Sequence, residues 1–179
     1  MSRLNADRKE VSMENVVHSR NRKEQQKIEC FIEVVKEYKT AMFRLAFSIV
    51  LNKEDAEDVV GEAVLKAYSH LKDLRYAKKM KAWIFQIIVN ESKNCLKKRN
   101  QMQFYEEMDY GSQQVEETND LFEFVCQLEE CYREVIILYY FEGFKVKEIA
   151  SILGITEGTV KSRLSRARLK LKRYLELEQ

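Results

Sequence analysis

Proline is absent from the 179 residues, and glycine occurs only five times. A chain without proline carries no obligatory helix breaker, and one so poor in glycine has few positions for tight turns. Long, unbroken helices are therefore predicted and a turn-rich architecture is not. No run of about 18 apolar residues exists, which excludes a membrane-spanning helix by sequence. The opening stretch, MSRLNADRKEVSMENVVHSRNRKEQQ, lacks the apolar centre of a signal peptide, so a cytoplasmic location is expected. There are two His and four Cys, with no CxxC or paired-His spacing, so no metal site is expected. In a reducing compartment the cysteines read as small core residues, and the five-residue spacing of Cys126 and Cys131 is weak ground for a redox pair. A P-loop pattern is missing and neither His lies in a catalytic setting, so no catalytic residue, cofactor or small-molecule substrate is assigned.

What the chain does contain is concentrated in its last third. In FKVKEIASILGITEGTVKSRLSRARLKL, Val146, Ile149, Ala150 and Leu153 recur at helical spacing, and Gly154 follows where a left-handed residue commonly ends a helix. Ile155 plugs the turn, Thr156 suits an N-cap and Glu157 complements the dipole of the next helix. That helix carries Val160, Leu164, Ala167 and Leu171 on one side, and Lys161, Ser162, Ser165 and Arg166 on the other. From Lys145 to Arg173 there are nine Lys/Arg against two Glu, about +7. Spacing, caps and charge together describe a helix-turn-helix whose second helix suits a DNA major groove. A basic amphipathic helix that is merely solvated, or that meets an acidic partner, is the plainer alternative.

The remainder divides by composition. Residues 1–27 are polar and read as a flexible tail, within which Met13 offers a second start of translation. Residues 28–99 form a helical domain. Its first long amphipathic helix runs from Ile28 through Phe31, Val35, Tyr38, Met42 and Leu45 to Ile49. Asn52 caps a second helix that buries Ala56, Val59, Val60, Ala63, Val64, Ala67 and Leu71, and a third carries Trp83, Ile84, Ile87, Ile88 and Cys95. Residues 100–119 form an acidic linker, and the acidity continues: Tyr105 to Glu134 holds ten Asp/Glu and one Arg. Residues 120–179 hold the helix-turn-helix domain. The fold class is all-α, two small helical domains joined by that linker.

A second basic surface runs from Lys72 to Arg99, with nine Lys/Arg against Asp73 and Glu91. Tyr76, Trp83 and Phe85 interleave with it, a pattern that suits unpaired bases, since rings stack while cations track phosphates. Trp83 taken alone also fits the core beside Ile84 and Ile87. The run Asp55–Asp58 reads equally as favourable charge at a helix N-terminus and as a protein-docking face.

In this order, FRLAFSIVLNKEDAEDVVGEAVLKAY, KAWIFQIIVNESKN, the acidic linker and YREVIILYYFEGFKVKEIASILGITEGTVKSRLSRARLKLK resemble the extracytoplasmic-function (ECF) sigma factors of the bacterial sigma-70 family, over about Phe31 to Leu175. The resemblance implies an RNA polymerase sigma factor that directs the core enzyme to promoters and initiates transcription. Asp55, Asp58 and Glu62 would dock on the clamp helices of the polymerase large subunit. Lys72, Arg75, Lys79, Trp83, Gln86, Asn90 and Asn94 would open and hold the promoter −10 element. Lys161, Ser162, Ser165 and Arg166 would meet the −35 duplex, with Arg163 and Arg168 on phosphates or on the domain's own acidic groups. The linker would thread toward the RNA exit path. Implied partners are core RNA polymerase, promoter DNA and an anti-sigma factor, often a membrane protein. Relatives usually carry Gln where this chain has Gly61, and many carry Arg where it has Gln86. Two other functions compete: a free-standing helix-turn-helix regulator, which leaves the Lys72–Asn94 surface unexplained, and an adaptor that only bridges proteins.

Overall fold

The computed structural model describes residues 22, 24–103 and 120–177, all helix and connecting turn with no strand among them. Most of the expected tail and linker, residues 1–21 and 104–119, lies outside the described residues.

The long first helix divides in two. Helix α1 covers 24–37 and α2 covers Lys39–Val50, with Tyr38 as a single turn residue between them. Its N–H still donates to Val34 O at 3.0 Å and its O accepts from Met42 N at 2.8 Å, so the step interrupts geometry rather than hydrogen bonding. Leu51 closes α2 at φ 53°, a left-handed conformation that costs a branched residue about 1 kcal/mol. Asn52 then caps α3 (Lys53–Ser69), its Oδ1 accepting from Asp55 N at 2.9 Å. The buried residues of α3 are Ala56, Val59, Ala63 and Ala67. Three alanines let α2 and α4 come close, so Met42, Leu45, Ile49, Ile84 and Ile88 fill the space between helices with 0–1 % exposure. Two short 3₁₀ turns, Leu71–Asp73 and Ala77–Lys79, lead into α4 (Met80–Gln103), which extends past the domain boundary expected at residue 99.

The second unit comprises α5 (Asp120–Cys126), α6 (Glu130–Ile136), α7 (Val146–Leu153) and α8 (Glu157–Leu177). Helix α6 runs on into a π-helical segment, Ile137–Phe141, where Glu142 N donates to Ile137 O at 3.0 Å. The wider turn buries both Ile137 and Leu138 and leaves Tyr139 and Tyr140 exposed.

The two units pack directly on each other, α2 against α6 and α4 against α7. The Phe85 ring meets Phe144 edge-on at 5.0 Å, and Phe47 lies 6.1 Å from Phe122. Around this apolar seam run polar ties. Arg133 Nε donates to Ser48 O at 2.5 Å, Arg44 pairs with Glu142 at 2.6 Å, Lys81 Nζ donates to Glu142 O at 3.0 Å, and Lys93 pairs with Glu134 at 2.9 Å. Burial raises the Glu134 carboxyl above its ordinary value, with Lys93 opposing.

Candidate nucleic-acid interface

The helix-turn-helix is built as its spacing predicts. Glu148 accepts from Lys145 N at 2.9 Å at the start of α7, and Gly154 ends that helix at φ 66°. Thr156 Oγ1 accepts from Thr159 N at 3.1 Å at the start of α8. Val160, Leu164 and Ala167 are buried, so the opposite side of α8 must face outward. Lys161, Ser162, Ser165 and Arg166 are all exposed there. The Ser162 hydroxyl donates to Thr159 O at 2.9 Å, which leaves its lone pairs outward. Several neighbouring cations are engaged internally: Arg163 lies 4.0 Å from Glu134, Lys170 pairs with Glu129 at 2.8 Å and Lys172 with Glu176 at 3.4 Å. Lys161 and Arg166 make no ion pair among the described residues, so their charge is available to an external anion.

The second basic surface is more selective than its composition suggests. Lys72, Arg75 and Lys79 are exposed on the turns before α4, and Tyr76, 65 % exposed, stands beside Lys79 with Nζ 5.9 Å from its ring centroid. Trp83, Gln86, Asn90 and Asn94 recur at intervals of three and four on α4; the first two are half-buried and the last two exposed. Trp83 also packs against the core. Phe85, expected among the interleaved aromatics, is fully buried because α4 is covered by α7 as well as by α2 and α3. Lys81 is turned inward, 4.2 Å from the Tyr38 ring centroid and 4.5 Å from that of Phe144, and Lys93 is spent on Glu134.

Of the acidic trio on α3, Asp58 and Glu62 are exposed one turn apart. Asp55 is half-buried and pairs with Arg99 at 2.9 Å, while Arg99 also donates to Val50 O at 3.2 Å. Asp55 thus ties α3 to α4 as well as standing in the first turn. Sequence reasoning missed Lys66 and Glu91, which bridge the same two helices at 2.5 Å beneath Asn94. The i, i+3 spacing of Glu91 and Asn94 was the available signal.

Among the described residues no group of three His, Cys, Asp or Glu is placed to hold a metal ion, and no helix is long and apolar enough to cross a membrane. Burial pushes the Cys126 thiol up to about 11, which makes its thiolate scarce.

Residues 34–101 match the family model described as Sigma-70 region 2, and residues 119–171 match that of Sigma-70, region 4. RNA polymerase sigma factor SigV of Bacillus subtilis is 35 % identical over 147 residues, 79 % of this chain and 88 % of the relative. ECF RNA polymerase sigma factor SigW of the same organism is 25 % identical over 167 residues, 82 % of this chain and 89 % of the relative. In solved structures, the sigma factor RpoE of Bartonella quintana in complex with the anti-sigma factor NepR aligns with a TM-score of 0.64 and 29 % identity, over 80 % of this chain and 97 % of that one. With both regions matched in order and 35 % identity over 79 % of its length to one relative, the chain belongs to the sigma-70 family of RNA polymerase sigma factors, in its ECF group.

Proposed function

We propose that this sigma factor reads a promoter at two places with two different surfaces. Lys161, Ser162, Ser165 and Arg166 of α8 meet the −35 duplex in the major groove, with Arg163 shared between phosphate and Glu134. The turns carrying Lys72, Arg75 and Lys79, with Trp83, Gln86, Asn90 and Asn94 of α4, hold the opened −10 element. Asp58 and Glu62 dock on the polymerase clamp, with Asp55 at the edge of that face through its pairing with Arg99. The chain performs no chemistry in this reading; it supplies binding energy that offsets the cost of unstacking promoter bases.

The observation that carries the reading is the exposed, unpaired charge of Lys161 and Arg166 directly opposite the buried side of α8. Lys161→Ala combined with Arg166→Ala is expected to abolish dependence on the −35 sequence and leave core polymerase binding intact, measured by promoter-variant transcription and by co-purification. Loss of polymerase binding in that variant would overturn the assignment. An anti-sigma factor, covering a polymerase-binding face of one or both domains, is a further proposed partner. Support comes from the solved relative, which is itself in complex with one. Pull-down from cell extract tests it, and a free, constitutively active protein contradicts it.

A further inference from the structure

Glu91 lies on the side of α4 that faces α3 and is only 9 % exposed. One carboxylate oxygen accepts from Lys66 Nζ at 2.5 Å, and the other accepts from Asn94 Nδ2 at 3.4 Å. The hydrogen bond from Lys66, against the penalty of burial, holds this carboxyl below the usual glutamate range, and Asn94 adds to the effect. An ionised carboxylate can only accept hydrogen bonds. A side-chain amide can turn over only where its partner tolerates either of its ends, and Glu91 tolerates one. Asn94 is therefore held with its nitrogen inward, one N–H committed, and its oxygen toward the exposed surface.

We propose that Glu91 is a positioning residue: by fixing which way the Asn94 amide faces, it makes Asn94 select a base with an amino group on its major-groove edge, adenine or cytosine, at the −10 position it meets. This rests on the reading of Asn94 as a −10 contact given above. On the major-groove edge the amino groups of adenine and cytosine donate to the outward oxygen. On that edge thymine O4 and guanine O6 bring an acceptor, not a donor, to the outward oxygen. A discrimination of about ten-fold is expected from one such contact.

The test uses the full chain with core polymerase on promoters in which each −10 position carries each of the four bases in turn. Native protein is expected to favour A or C over G or T at one position by about ten-fold, and Asn94→Ala to flatten that ratio. If Asn94→Ala changes no ratio, the reading of Asn94 as a base contact fails. Glu91→Gln keeps the shape but presents an amide that donates or accepts, so Asn94 becomes free to turn; the ratio is expected to fall toward one at the same position. Glu91→Met, which removes every polar atom, is expected to do the same and serves if Glu91→Gln folds poorly. A purely structural Glu91 would lower transcription from all four promoters alike. Native base ratios in both Glu91 variants, with the ratio lost in Asn94→Ala, would overturn the proposal and leave the reading of Asn94 standing.

Discussion

Two buried carboxylates show how differently the same side chain behaves in this protein. Lys66 and Asn94 pull the Glu91 proton affinity down, whereas desolvation pushes that of Glu134 up despite Lys93. The consequences for stability have opposite sign. Glu91 stabilises the fold above the ordinary glutamate range and loses that contribution as pH falls through its depressed folded value. The folded state binds the Glu134 proton more tightly than the unfolded chain does, so stability is lost as pH rises from the ordinary value to the raised one. Denaturant unfolding across mildly acidic to neutral pH should therefore show Glu91→Gln less stable than the native chain near neutrality, by about 1 kcal/mol given the half-exposed Lys66, with the gap closing in acid. Glu134→Gln should instead gain on the native chain as pH rises through the same range. Parallel pH profiles for the two variants would contradict this account.

Helices were legible in the sequence wherever local spacing decides them. Asn52, Gly154 and Thr156 act at the helix ends where their chemistry places them, because capping depends on backbone groups two or three residues away. The outward set on α8 follows from Val160, Leu164 and Ala167 for the same reason. Features set by distant chain were not legible. The step at Tyr38 sits where Lys81 crosses its ring, and the π-helical segment packs against α2 of the first unit as well as α7 of the second. Phe85 read as part of a basic, aromatic surface because nothing in its neighbourhood announces α7 above it. On α3, Gly61 is exposed and a Cβ built there meets nothing within 4 Å. Gly61→Gln should stabilise the chain by about 0.5–1 kcal/mol, the backbone entropy a helical glycine forfeits, measured by thermal or urea unfolding. A destabilised variant would mean that α3 is strained at this point.

For the whole molecule, the packing of the two units sets a constraint on function. A folded chain of this length is about 40 Å across. Elements centred about 25 base pairs apart stand roughly 85 Å from each other along straight duplex. Under the proposed two-surface reading the packed arrangement does not reach both, and the units would separate on the promoter. The seam between them suits a reversible contact, since much of it is polar: Arg133 on Ser48, Arg44 on Glu142 and Lys93 on Glu134. Reversing one charge should open the free protein. Glu134→Lys is expected to raise the radius of gyration in solution scattering, and adding Lys93→Glu should restore the compact value. A compact single variant would show that the apolar seam around Phe85 and Phe144 suffices alone.

In the proposed function, promoter specificity arises only when this chain joins core polymerase. In-vitro transcription on fragmented genomic DNA from its host, with purified bacterial core enzyme in the presence and absence of the protein, tests that most directly. Discrete transcripts that require the protein and share sequence upstream of their starts at both elements are expected. No protein-dependent transcripts, together with tight binding of duplex DNA by the protein alone, would contradict that function.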